Sequence, residues 1–480
     1  MSVDPSPTPE PSPRSRKQWW ILALSIPLLV VVPLLLISCL GSGAREAQVF
    51  SQINSGLTNG GDYHAIEEAE EEAEEDDSAS GRPAPSSPAS PPPPPAGVTL
   101  PKEDAPDRGR AGDADEGAPE PAARPQGRPA PLKAGERDDN ELFEEYLRYL
   151  DTYRGPSART IDVSERYLIT VLNDQQHPLL DAQVRIYDGR EQLFEGRTYA
   201  GGQTIFLPRA YGISPNTTEF RIVAEYGNDR AETTLSRSPR TPAQERVELV
   251  VAGAHPPEDL HLDILFLLDT TGSMSDELGR IQETIDSIAR RIDALTPRPI
   301  LRFGLVAYRD RGDDYITRDY DFTGDVDSFR RQLNSFSADG GGDTPESLNE
   351  GLHEAVQGVR WTSESAVRLI FLVADAGPHL DYEQDYDYAE EMQQAVSQGI
   401  KIYPIAASNT DDFAEYVFRQ LAQQTLARFI FLTYQPGERS GTPGESTTLE
   451  SGDQPYTVEQ LDDLIVQVVQ RELARASGQE

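Results

Sequence analysis

Asp269, Thr271 and Ser273 occupy alternate positions where an apolar run stops, in "LDILFLLDTTGSM" (262–274). Asp375 closes a second apolar run, "VRLIFLVAD" (367–375), and Thr344 lies in the glycine-rich "ADGGGDTPES" (338–347). Carboxylates and hydroxyls are hard oxygen donors, so the chemistry on offer is the binding of a divalent cation. Mg2+ takes about six oxygens at about 2.1 Å and keeps waters where it can. Neutral hydroxyls leave such an ion electron-poor, with an appetite for one carboxylate from outside. Asp-x-Thr-x-Ser alone is a common pattern, and the competing reading is that Thr271 and Ser273 cap the following helix.

The elements around these residues favour the metal. From Leu262 onward the hydrophobic period switches repeatedly. "LDILFLLD", "VRLIFLVAD", "IKIYPIAA" and "RFIFLTY" read as fully buried strands. Leu278, Ile281, Ile285, Ile288, Ile292 and Leu295 recur at alternating spacings of three and four, the mark of a helix with one apolar face. Alternating strands and helices with continuous apolar strands predict one α/β domain, a doubly wound, mostly parallel sheet over 260–476. In such sheets sites form beyond the carboxyl ends of strands, where the strand order reverses. Asp269 and Asp375 both end strands, and Thr344 precedes a helix, so three segments deliver oxygens to one edge.

Buried strand, motif, helix, glycine-rich loop with Thr344 and a later strand ending in Asp375 together resemble the metal-ion-dependent adhesion site of von Willebrand factor type A domains. The resemblance covers 262–434 and the final helix. It implies metal ligation by Asp269, Thr271, Ser273, Thr344 and Asp375, with Mg2+ or Mn2+ as the ion. It also implies a partner protein that offers an Asp or Glu carboxylate. Threonine at 271, where serine is commoner, and "DAGPH" after the strand depart mildly from the pattern. Asp276, Glu277, Asp339, Asp343 and Asp310 read as helix N-terminal charge and solvated loop, or, for Asp310 and Asp343, as groups backing the metal. "RGD" (311–313) is too short to carry weight, and His379 reads as a rim residue. The resemblance further implies that ligand binding can move the final helix, expected at Tyr456–Ala476 behind a glycine- and proline-rich loop. The alternative is a helix fixed in the core.

No histidine base adjoins the motif, and G-x-S-x-G, H-E-x-x-H and a phosphate-binding loop are missing. No catalytic or cofactor-binding residue is assigned. The expected function is an extracytoplasmic, cation-dependent protein-binding module for adhesion or complex assembly. The alternatives are a metal-assisted hydrolase and a scaffold subunit of a cell-envelope complex.

The rest of the chain reads as a tether. Residues 1–18 form a basic leader, and Trp19–Ile37 holds no charge over a length that can span a bilayer. "LISC" before the lone Cys39 resembles a bacterial lipobox, so 19–39 is either a transmembrane helix or a lipoprotein signal segment with Cys39 as the lipid anchor. Both place the bulk of the chain outside the cytoplasm, in a periplasm or at a cell surface. Residues 40–138, with "EEAEEEAEEDD" (67–77) and a proline run, predict a disordered acidic stalk. A short helix is expected at 139–155. Short alternating runs over 160–253 predict a β-sandwich spacer resembling carboxypeptidase-regulatory-like sandwiches. One cysteine excludes an internal disulfide, and a net charge of −38 argues against nucleic acid as a partner.

Overall fold

The computed structural model describes residues 132–479 apart from 157, 238–242, 258, 296–297, 343, 364, 408–409 and 434–458. The leader, Trp19–Ile37, Cys39 and the stalk up to residue 131 lie outside the described residues. Among the described residues no helix is long and apolar enough to cross a membrane.

The chain runs β1 (Lys133–Arg137), α1 (Phe143–Thr152), β2 (Glu165–Asn173), β3 (Gln183–Asp188), β4 (Glu191–Arg197), β5 (Gln203–Phe206), β6 (Glu219–Tyr226), β7 (Asp229–Ser236) and β8 (Ala243–Val251). It continues through β9 (His261–Asp269), α2 (Ser275–Asp293), β10 (Ile300–Tyr308), β11 (Thr317–Thr323), α3 (Val326–Leu333), α4 (Leu348–His353) and β12 (Ala366–Ala374). It ends with α5 (Tyr388–Gln398), β13 (Ile400–Ala406), α6 (Asp412–Gln424), β14 (Phe429–Thr433), β15 (Glu459–Gln460) and α7 (Leu461–Ala476).

Eight strands form the main sheet in the order β11-β10-β9-β12-β13-β14-β1-β15. The five from β10 to β14 are mutually parallel, and β11, β1 and β15 pair antiparallel at the edges. Each central strand feeds two cores because successive side chains point to opposite faces. From β9, Leu262, Ile264, Phe266 and Leu268 join Ile281, Ile285, Ile288 and Ile292 of α2 and the apolar face of α7. Leu265 and Leu267 turn the other way, toward α4, α5 and α6. A sheet covered on both faces is the doubly wound α/β architecture expected.

The strand β1 corrects the stalk boundary of 138. "KAGER" is too short and polar to stand out, but Ala134 is wholly buried and the strand pairs with β14 from Lys133↔Thr433 to Arg137↔Phe429. Asp139, just past it, is buried and accepts two 2.8–2.8 Å hydrogen bonds from the Arg419 guanidinium of α6. The main sheet therefore begins before the β domain, which is inserted between its first strand and the rest.

The inserted domain is two facing sheets, β5-β2-β8 and β4-β3-β6-β7, around Tyr167, Phe194, Phe206 and Phe220. A spacer would touch its neighbour lightly, and this domain is docked. Val396 of α5 enters its core. Arg368, near the start of β12, donates to Asp181 at 2.8 Å with both side chains buried. The docking lies at the amino end of the parallel strands and leaves the carboxyl end clear.

Candidate metal centre

From β9 the chain passes through α2 to β10 on one side, and β12 pairs on the other, so the strand order reverses between β9 and β12. Their carboxyl ends lie in parallel register, with Leu268 opposite Val373. Asp269 is the last residue of β9 and Asp375 the first after β12, so the reversal sets two carboxylates side by side at the mouth of the crevice.

The turn after β9 folds back on its own carboxylate. Asp269 Oδ1 accepts from the Thr271 backbone N–H at 2.9 Å and from Thr271 Oγ1 at 2.6 Å. Thr271 Oγ1 lies 3.1 Å from Ser273 Oγ, which donates to Asp375 Oδ1 at 3.1 Å. Tyr308 OH reaches Asp269 Oδ2 at 3.4 Å. Four of the five sequence-derived residues thus form one connected set of oxygens. Neither Thr271 nor Ser273 caps α2 through its side chain.

The fifth, Thr344, stands exposed on the 338–347 loop and makes no hydrogen bond to the other four. The loop itself is laced to the site. Gly272 N–H donates to Gly340 O at 3.0 Å, Asp339 N–H to Thr270 O at 3.1 Å, and Glu346 N–H to Gly377 O at 3.0 Å. Gly341 has φ +65°, and a Cβ there would sit 3.0 Å from Glu346 Oε1 and 3.2 Å from Thr271 Cβ, so only glycine lets the loop approach this closely.

Glu346 is a site residue that sequence reasoning missed. It is 2% exposed, and its Oε2 is buried without a hydrogen-bond partner. Burial, followed by the fields of Asp269, Asp310, Asp375 and Asp313, pushes its carboxyl up to about 9. Burial and the charge of Asp375 raise Asp269, against the Thr271 hydrogen bonds. Burial likewise raises Asp375, against the bond from Ser273. Carboxyls whose negative forms are each disfavoured by burial and by one another are a good arrangement for a cation, whose charge would offset that penalty for all three. The only legible signal was an acid two residues beyond Thr344, in "TPE". Among the described residues no group of three or more His, Cys, Asp or Glu side chains gathers into a metal cluster. The donors are carboxylates with hydroxyls, a set that fits Mg2+ or Mn2+ and not a zinc site.

The other candidates act as braces. Asp310 accepts from Ser347 Oγ at 3.1 Å and Tyr382 OH at 3.0 Å, tying the 338–347 loop to the segment after Asp375. Asp313 Oδ2 accepts from the N–H groups of Gly341 and Asp310. Arg311 is engaged by Glu350 and Asp385, so "RGD" is tied inward at both ends. His379 is buried, with Nδ1 2.8 Å from Asp381. The side chains of Asp276 and Glu277, and all of Asp343, lie outside the described residues.

Residues 263–433 match the family model of the von Willebrand factor A domain. The match supports an A domain, and the mixed α/β fold with its large, mostly parallel sheet fits one. Over 160 residues the chain is 24% identical to an ariadne-like RING finger protein of Acanthamoeba polyphaga mimivirus, across 30% of this chain and 16% of that protein. Among solved structures, proximal thread matrix protein 1 from the mussel byssus aligns at 15% identity and a TM-score of 0.25, over 31% of this chain and 36% of that one. An aerotolerance-related membrane protein from Bacteroides fragilis aligns at 15% identity and a TM-score of 0.27, over 35% of this chain and 90% of that one. The matched span holds all five residues expected from the sequence as ligands, and Glu346.

Proposed function

We propose that this A domain is an extracytoplasmic, divalent-cation-dependent protein-binding module, serving adhesion or complex assembly. Asp269, Thr271, Ser273 and Asp375 would hold Mg2+ or Mn2+, with Thr344 and Glu346 on the loop above. The ion would supply an open coordination position for an Asp or Glu carboxylate of a partner. One observation carries the reading: the four oxygen-bearing side chains form a connected set at the topological reversal, beside a buried Glu346 carboxyl whose Oε2 has no hydrogen-bond partner among the described residues. Binding rather than catalysis is favoured because the bonds of Ser273 Oγ stay within the proposed ligand set, to Thr271 and Asp375, and among the described residues no histidine bonds to it. Trp19–Ile37 or an acylated Cys39 would tether the chain at a membrane.

The test is Mg2+-dependent binding of a short peptide carrying a single glutamate. Binding that disappears with chelator, with Asp269→Ala or when the glutamate becomes glutamine is the expected result. Peptide binding indifferent to all three changes would contradict the reading.

A further inference from the structure

The loops around the metal centre have a surface character of their own. Among the described residues five large hydrophobic side chains are exposed, and three of them, Ile316, Leu380 and Tyr386, lie on the loops at the carboxyl edge of the sheet. Ile316 is held next to the centre: Tyr315 OH lies 2.8 Å from Thr270 Oγ1, and Arg309 N–H donates to Ile316 O. Leu380 follows His379, whose N–H donates to Glu346 O at 3.1 Å. Isolated apolar side chains on a surface need no explanation, but three on the loops of one sheet edge do.

Among the described residues, charge on the same loops is one-sided. Asp314, Asp339, Asp381, Glu383 and Asp411 are exposed there. Among the described residues the loop bases are turned inward. Arg309 donates to Ser337 O, Arg311 is spent on Glu350 and Asp385, and His379 is buried. Two exposed bases from flanking segments are also engaged, Arg159 with Asp387 at 2.6 Å and Arg318 over the Tyr315 ring at 4.2 Å. On the same edge a cavity of 280 Å3 opens between His379, Leu380, Tyr382, Tyr386 and Glu390, with Arg159, neutralised by Asp387, also in its lining. Glu390 is exposed and has no ion-pair partner among the described residues.

We infer that the partner presents its metal-seeking carboxylate from a basic, partly apolar surface, with lysine or arginine within a few residues of the acid. This rests on the metal-completed carboxylate proposed above and adds what must surround it. A carboxylate flanked by other acids would meet Asp339, Asp381 and Glu383 at close range, and like charges brought together at an interface oppose binding. Flanking bases meet those acids favourably, and one long cationic side chain can enter the cavity with its stem on Leu380 and its head near Glu390. The metal draws in one acid while the rim selects its surroundings, which is specificity by attraction and exclusion together.

The test uses the full chain in Mg2+ at about 0.15 M salt, where long-range attraction is screened beyond about 8 Å. The probes are short synthetic peptides with one central aspartate, flanked by arginine and leucine, by serine, or by glutamate, and the arginine-flanked peptide with asparagine at the centre. The arginine-flanked aspartate peptide should bind about tenfold more tightly than the serine-flanked one. The glutamate-flanked peptide should bind more weakly than either, and asparagine should abolish binding. Asp314→Lys with Glu383→Lys, which touches no proposed metal ligand, should narrow the gap between arginine and glutamate flanks while Mg2+ binding persists. Equal affinity of all aspartate peptides overturns the inference and leaves the carboxylate reading standing. An asparagine peptide that binds as well as its aspartate twin, with or without Mg2+, overturns both.

Discussion

Glu346 is the residue on which the electrostatics of the centre turn. It adds a third buried carboxyl to Asp269 and Asp375, and its Oε2 meets no donor among the described residues. In the metal-free chain it keeps its proton up to about 9, whereas the unfolded chain releases it near 4.5. The stability this group contributes is therefore complete below 4.5 and is lost as pH rises through about 9. The melting midpoint of chelator-treated protein is expected to fall between about pH 5 and about pH 9, and saturating Mg2+ should flatten that fall. Glu346→Gln should flatten it without metal and weaken Mg2+ binding. A midpoint that rises with pH in the metal-free chain would contradict this placement of charge. Sequence spacing exposed Asp269, Thr271, Ser273 and Asp375 because each sits at a recognisable strand end. Glu346 escaped because an acid before a helix reads as ordinary N-terminal charge, and only tertiary folding shows that it is buried.

Among the elements, the buried strands were legible because both faces of each are covered, which leaves a continuous apolar run. Three strands gave no such signal. β7 alternates half-buried with exposed residues, β11 is an edge strand with little burial, and β1 buries only Ala134 and Gly135. The final helix shows a different gap. Its apolar face was readable, and a long loop before it suggested freedom to slide. In the structure its carboxyl half is fastened. Glu472 accepts from Lys401 Nζ at 2.8 Å and Tyr403 OH at 3.0 Å, both bonds buried, and Arg471 donates twice to Glu136 of β1. These partners lie far away in sequence, so no local pattern announces them. Lys401→Met leaves Glu472 buried without its ammonium partner and should cost about 3–5 kcal/mol in denaturant unfolding. A change within about 0.5 kcal/mol, the range of ordinary surface substitutions, would mean that the pair does not hold the helix.

At the scale of the molecule, the A domain is discontinuous. Its sheet starts at β1, gives way to a docked β-sandwich and resumes at β9. A fragment cut at the apparent boundary near residue 255 lacks Asp139 and Glu136. It leaves the Arg419 guanidinium buried without its main partner and the edge of β14 open. Residues 132–480 should therefore give a monomeric, cooperatively melting protein, and residues 255–480 a less stable, aggregating one. Equal melting of the two fragments would show that β1 and the sandwich are dispensable to the A domain. The same topology fixes where the chain joins. Lys133 pairs with Thr433, the last residue of β14, so β1 begins at the carboxyl edge of the sheet, on the side of the metal centre. The first described strand thus starts at the edge that carries Asp269 and Asp375, which a reading of the sequence as a tether, spacer and head in line would not suggest.

Four side chains from the ends of two adjacent strands are expected to hold one divalent cation. Mn2+ bound per chain, counted by electron paramagnetic resonance on chelator-stripped residues 132–480, tests it most directly. One Mn2+ displaced by excess Mg2+ is expected, with binding lost in Asp269→Ala and in Asp375→Asn while the melting transition of each variant stays cooperative. Mn2+ bound to those folded variants as tightly as to the unaltered protein would place the ion elsewhere and contradict the account.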